Sequence, residues 1–170
     1  PFRWSFRSQF LLGAAICAGL LAYALFVQFR MGLQPCPFCI FQRLAFAVLG
    51  IVFLLGGLHA PRAAGPRKAW GVAALVAAAV GAGIAARHTW VQLNPPEMPT
   101  CSPSWNFLVE QNTWLGVVRK VLLATGDCAD IDWQFLGLSM PMWSLAWFVI
   151  LGLAAVYAGF LRRKQSLFHR

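Results

Sequence analysis

Residues Gln9 to Phe29 read QFLLGAAICAGLLAYALFVQF, twenty-one positions with no charge between Arg7 and Arg30. A helix needs about 20 mostly apolar residues to cross the hydrocarbon core of a bilayer, so this stretch is expected to span one. It follows Arg3 and Arg7 and lacks a cleavage-like ending, so it is expected to remain as a span and not to act as a removable leader. Working outward, three further stretches meet the same test. The second runs from about Ile40 to Ala60 and carries Arg43 near its start. The third, Ala69 to Ala86, is short but framed by Lys68 and Arg87. The fourth, Pro141 to Leu161, stops at Arg162-Arg163-Lys164. The chain from Asn94 to Met140 is too polar and too rich in proline for a fifth span.

Composition supports a lipid solvent. Of 170 residues, 59% are hydrophobic and 11% charged, where a soluble domain carries about 25% charge. The net charge of +9 does not point to nucleic acid. The basic residues form small clusters between uncharged stretches, and a nucleic-acid groove needs a continuous basic stripe. The expected fold class is an all-α membrane protein, a four-transmembrane-helix bundle forming a single integral membrane domain over residues 1–170. Two outer loops are expected at about 30–39 and 87–140.

Charge placement sets an orientation. Arg3 and Arg7, then Arg62, Arg67 and Lys68, then Arg162, Arg163, Lys164 and Arg170 fall on one side of four spans, with no acid among them. All five acids, Glu97, Glu110, Asp127, Asp130 and Asp132, fall in the long loop on the other side. The positive-inside rule puts the basic side, with both termini, in the cytoplasm. Arg119 and Lys120 are exceptions, in the middle of a long loop where the rule is weak.

With that orientation, four of five cysteines face the periplasm, where disulfides persist. Cys36 and Cys39 lie in the short loop, Cys101 and Cys128 in the long one, and Cys17 lies mid-membrane, where it is expected only to pack. Small residues recur every four positions at Ala14, Ala18 and Ala22 and at Ala73, Ala77 and Gly81. They are read as close-packing helix surfaces.

The segment Gln34-Pro35-Cys36-Pro37-Phe38-Cys39-Ile40-Phe41-Gln42-Arg43 suits redox chemistry. Two intervening residues let the cysteines close a small, easily opened ring, though zinc sites use the same spacing. Haem attachment needs His after the second Cys, and Ile40 stands there. Pro37 is suited to the first helical position. Cys39 then falls in the first turn, near the positive end of the helix dipole. Arg43, four residues on, shares its face. An arginine in an apolar span is a functional candidate; snorkelling to the interface is the plain alternative.

Cys101 lies among Pro95, Pro96, Pro99 and Pro103, in an extended segment, and Gly126-Asp127-Cys128 reads as a turn. Taken alone, this second pair reads first as a structural staple, with a zinc site made from all four cysteines as the lesser alternative. Between the two, Trp114 to Leu123 is expected to form a short interfacial helix anchored by Trp114, or else an ordinary loop helix packed on the bundle. His88, at the outer end of span three, suits a hydrogen bond or proton transfer at the interface. His59 and His169 are given no role.

Taken in order, Cys36-Pro-Phe-Cys39 with Arg43, Arg87-His88-Thr89, Thr100-Cys101, Thr125-Gly-Asp-Cys-Ala129 and Trp133-Gln-Phe-Leu-Gly-Leu-Ser-Met-Pro141 resemble the DsbB family of disulfide bond formation proteins across nearly the whole chain. The resemblance implies a quinone-coupled thiol oxidase. A reduced periplasmic thioredoxin-fold partner of the DsbA type attacks the Cys101–Cys128 disulfide, at Cys101. Electrons pass to Cys36–Cys39 and on to ubiquinone, or to menaquinone when oxygen is scarce. Arg43, His88 and Met140 fall at the quinone site by the same resemblance. The direction has a physical reason: DsbA, at roughly −120 mV, needs an acceptor at least as oxidising. Two readings stand beside it: a DsbI-like oxidase with a specialised thiol partner, and a non-enzymatic membrane protein stapled by two disulfides. Export of reducing equivalents from the cytoplasm is disfavoured, because no cysteine pair lies within reach of that side.

Overall fold

The computed structural model describes residues 5–32, 36–95, 109–123 and 134–161. Cys101, Cys128 and the basic cluster after Leu161 lie outside the described residues. In chain order the elements are α1 (Phe6–Met31), α2 (Pro37–His59), α3 (Ala64–Leu93), α4 (Trp114–Leu123), a hairpin of β1 (Gln134–Phe135) and β2 (Leu138–Ser139), and α5 (Met140–Val156). α5 continues into a π-helical turn, Tyr157–Leu161. α1, α2, α3 and α5 are long and apolar enough to cross a membrane. The chain is therefore an all-α, four-helix, multi-pass membrane protein.

Local chemistry sets the helix ends. Ser5 caps α1 by accepting the Ser8 N–H at 3.1 Å, and Gly32, at φ +65°, closes it in the left-handed region that glycine tolerates. Cys36 caps α2 and Pro37 fills its first turn. α3 runs 30 residues, well past Ala86 and through Arg87 and His88. A charge marks the edge of the bilayer, not the end of a helix, and nothing breaks the ladder before Pro95.

The helices pack in the ring α1–α2–α3–α5, with the α1/α5 seam the loosest of the four. Aromatic rings fill the interior: Phe46 stacks on Phe148 with centroids 3.9 Å apart, and Phe10 meets Phe53 edge-on at 5.1 Å. Because lipid is as apolar as leucine, such packing, not escape from water, holds membrane helices together. The small residues buried on α3 are Gly71, Ala74, Ala78, Gly81 and Ala85, with Ala77 and Ala82 packed beside them. Ala73 faces outward, so the true stripe follows the helical period and not a strict spacing of four. Likewise α1 buries Gly13 and Cys17, while Ala18 and Ala22 face out. Gly81 faces the Phe148 ring so closely that a Cβ there would lie 2.3 Å from it. Outside, Phe26, Leu44, Ile51, Leu58, Val76, Val80 and Leu153 form a belt of exposed apolar side chains, as a bilayer requires.

At the end away from Cys36, the Arg67 guanidinium donates to the Ala158 carbonyl at 2.9 Å and lies 5.4 Å over the Phe6 ring. It satisfies a carbonyl of the π turn, where Gly71 and Gly159 bring α3 and α5 into backbone contact. At the cysteine end, α4 docks through Val117, which is buried against Phe38 and Val91. Trp114 and Leu115 remain exposed. Among its described side chains, the loop helix is packed on the bundle through Val117. The hairpin turns through Leu136 and Gly137, both at positive φ (53° and 77°), as two-residue hairpin loops require.

Candidate redox site

The site grows from the first turn of α2. Cys36, as N-cap, presents Sγ to the Cys39 backbone N–H at 3.3 Å. The helix end thus acts first on Cys36, where the sequence pointed to Cys39. A negative charge on this sulfur is stabilised by that N–H and by the helix dipole. Cys39 Sγ lies 2.9 Å from Cys36 Sγ.

Two faces of α2 diverge from this turn. Phe38 and Gln42, four residues apart, point to α3, where His88 stands. The Phe38 ring stacks on the imidazole, with centroids 5.3 Å apart and planes 18° apart. Gln42 Nε2 is 2.9 Å from His88 Nδ1, and His88 Nε2 is 3.8 Å from Cys36 Sγ. Gln42 is 5% and His88 2% exposed, so this polar chain is shielded, and groups so shielded need partners. The chain Gln42–His88–Cys36 is an amide, an imidazole and a thiol in sequence; with the amide oxygen turned to Nδ1–H, Nε2 is left as a base facing the thiol, a known pattern for activating a nucleophile.

Cys39 and Arg43 point the other way, toward the α1/α5 seam. Arg43 donates to Gln28 Oε1 and, at 3.3 Å, to the Ala24 carbonyl of α1. Beside them lies a cavity of about 280 Å³, lined by Cys39, Gln42, Arg43 and Phe46 of α2, by Leu20, Leu21, Tyr23 and Ala24 of α1, and by Met140, Trp143, Ser144 and Trp147 of α5. Phe135 of the hairpin also lines it. The hairpin is fixed there by the Trp143 indole, which donates to the Phe135 carbonyl at 3.1 Å, and by Ser139 Oγ, which lies 2.6 Å from Gln92 Oε1 on α3.

The sequence reading grouped Arg43, His88 and Met140 around one ligand. Cys39, Arg43 and Met140 do share the cavity. Among the described residues, His88 does not line it; it lies across α2, beside Cys36. Gln42 touches both sides and was not singled out from sequence. The signal was available, since Phe38 and Gln42 repeat the four-residue spacing of Cys39 and Arg43 one position earlier, about 100° around the helix.

A family model for disulfide bond formation protein DsbB matches residues 6–158. The chain belongs to the DsbB family. Proteins named disulfide bond formation protein B are similar along its length. The one from Xanthomonas euvesicatoria pv. vesicatoria (strain 85-10) is 61% identical over 170 residues, covering 99% of both chains. That of Xanthomonas campestris pv. campestris (strain 8004) is 63% identical over 164 residues, 96% of this chain and 95% of the relative. That of Xylella fastidiosa (strain 9a5c) is 52% identical over 168 residues, 98% and 97% respectively. As a DsbB-family protein the chain is a membrane disulfide oxidoreductase, and its Cys-x-x-Cys pair sits at the head of α2 between a buried imidazole and a seam cavity.

Proposed function

We propose that the protein is a quinone-coupled thiol oxidase of the bacterial inner membrane, with both termini cytoplasmic, that reoxidises a periplasmic dithiol oxidase of the DsbA type. The observation that carries this reading is the placement of Cys39 and Arg43 on an apolar cavity at the seam of α1 and α5, one turn from Cys36. A structural disulfide has no use for such a cavity.

The cavity suits a quinone head. At about 280 Å³ it lies at the small end of ligand pockets, enough for one flat ring with a tail left to the lipid. Tyr23, Trp143 and Trp147 supply aromatic walls, and Met140 supplies a soft, polarisable contact. Arg43, already held by α1, supplies a fixed positive charge and donors for a carbonyl oxygen. A bound ubiquinone or menaquinone would accept two electrons and two protons.

The chain's own groups do the rest. The partner's thiolate attacks the Cys101–Cys128 disulfide at Cys101; one S–S bond breaks as a mixed disulfide forms. The partner's second thiol resolves it, leaving the partner oxidised and Cys101 and Cys128 as thiols. Exchange then moves the electron pair to Cys36–Cys39 and restores the Cys101–Cys128 disulfide. His88 takes or returns the Cys36 proton, held in place by Gln42 and Phe38. Cys39 hands electrons on at the cavity, where the Arg43 charge favours negative charge on the acceptor.

The test is quinone reduction by purified protein in detergent, followed by absorbance, with a reduced DsbA-type donor. Wild type and Cys36→Ser are run side by side, and Cys101→Ser separately. Donor-dependent reduction lost in Cys36→Ser is the expected result. No reduction by folded wild type with several quinones overturns the reading. Normal donor turnover by Cys101→Ser moves the entry point elsewhere.

A further inference from the structure

Three groups of the site meet the demands of a different ligand. Cys36 Sγ, Cys39 Sγ and His88 Nε2 all lie within 4.8 Å of one another. They come from two packed helices, and His88 is already oriented by a buried amide. We infer that the dithiol form of this site is a zinc-type centre, which binds a divalent d10 cation through Cys36, Cys39 and His88 and is thereby switched off.

Geometry comes first. A tetrahedral ion with bonds of about 2.3 Å to sulfur and about 2.0–2.1 Å to nitrogen sets its sulfurs roughly 3.8 Å apart and each sulfur roughly 3.5 Å from the nitrogen. The Cys36 Sγ to His88 Nε2 distance, 3.8 Å, is close to this. The sulfurs, 2.9 Å apart, must separate by about an ångström, and the Cys39 sulfur, within 4.8 Å of the other two ligand atoms, must do so on the His88 side of α2. Three protein ligands leave a fourth position for water.

Charge selects the ion. Two thiolates and a neutral imidazole cancel a double positive charge, and a neutral centre escapes most of the cost of burying an isolated charge. A monovalent soft ion on the same ligands leaves one negative charge behind. Binding displaces both thiol protons, so affinity rises with pH. The Gln42 carboxamide can present its oxygen as well as its NH2 group. With the oxygen turned to Nδ1–H, it fixes the tautomer that offers Nε2 to the metal, the usual arrangement behind a metal-bound histidine. A bound ion ties up both sulfurs and the base, so the pair stays reduced and neither exchange nor electron transfer proceeds.

The inference shares its cysteines with the proposed oxidase, whose catalytic cycle makes them thiols; its test reads metal directly. The protein carrying Cys101→Ser and Cys128→Ser is reduced with a phosphine in detergent and titrated with Co²⁺ as optical probe, then with Zn²⁺ in competition. The expected result is one ion per chain, with thiolate-to-cobalt charge-transfer absorption. Gln42→Ala should weaken zinc on the order of 10–100-fold, the usual effect of removing a group that orients a ligand, and His88→Ala should weaken it further. Zinc affinity unchanged in folded His88→Ala would mean chelation by the cysteines alone and overturn the centre. If His88→Ala does not fold, Gln42→Ala keeps all three ligands and decides in its place. Equal binding by protein oxidised at Cys36–Cys39 also overturns it. A protein that binds zinc in this way but reduces no quinone leaves this inference standing and removes the oxidase.

Discussion

Gln42 and His88 are joined by a buried hydrogen bond of 2.9 Å between α2 and α3, and the far nitrogen of the imidazole faces Cys36. Gln42 also reaches the cavity on the opposite side of α2. Gln42 therefore touches both the imidazole that faces Cys36 and the space proposed for the electron acceptor.

That position makes Gln42→Ala informative. The His88 ring loses its anchor, and turnover is expected to fall on the order of 10-fold, with the pH profile of Cys36 alkylation displaced. With the amide oxygen turned to Nδ1–H, Gln42→Glu keeps the acceptor and should restore most of the rate. Stopped-flow alkylation of the reduced protein measures both. An unchanged pH profile in Gln42→Ala would leave the hydrogen bond structural.

Arg43→Ala should act on the acceptor side alone. Loss of a charged hydrogen bond costs about 1.5–3 kcal/mol, so the quinone concentration for half-maximal rate is expected to rise about 10- to 100-fold. Exchange between the donor and Cys101 should keep its rate. Steady-state kinetics at varied quinone and varied donor separate the two. Quinone dependence equal to wild type removes Arg43 from the site.

Two glycines of α3 give a packing test. Gly81→Ala drives a methyl into the Phe148 ring and should cost about 1–3 kcal/mol, the range for overpacked cores. Gly83→Ala meets nothing within 4 Å and should be neutral or gain up to about 1 kcal/mol of helix propensity. Thermal unfolding in detergent compares them. Equal stabilities would mean that α3 and α5 separate easily at this level.

Among the described side chains of α4, Val117 is the one buried against the bundle. Val117→Asp buries an unpaired charge and should undock the helix, raising hydrogen exchange across 114–123 and slowing donor oxidation. Leu115→Asp, at a position 81% exposed, should change neither. Unchanged exchange in Val117→Asp would show that other contacts retain α4.

Much of this was legible in the sequence. The four spans follow from uncharged runs of bilayer length, and the α4 bounds were readable from an apolar segment too short to cross. Cys36, Pro37 and Cys39 declared a helix start, because proline suits its first turn. Three features were not legible. The phase of the small-residue stripe depends on which partner ring each glycine meets, and Phe148 is 67 positions from Gly81. The hairpin at 134–139 puts Leu136 at positive φ, which no propensity favours. Placing His88 beside Cys36, away from Arg43, required the rotation of α2 against α3, and depth in the membrane carries no information about rotation.

The docking of α4 also shortens the chain's leashes. Cys101 lies six residues beyond Pro95, and Cys128 five beyond Leu123. Fully extended, those segments reach only about 20 Å and 17 Å from their anchors. A sulfur confined to so small a volume meets its target at an effective concentration in the millimolar range. In the proposed cycle, exchange between the two cysteine pairs would then be set by chain geometry, indifferent to how many copies the membrane holds, and only the encounter with the outside thiol would depend on supply.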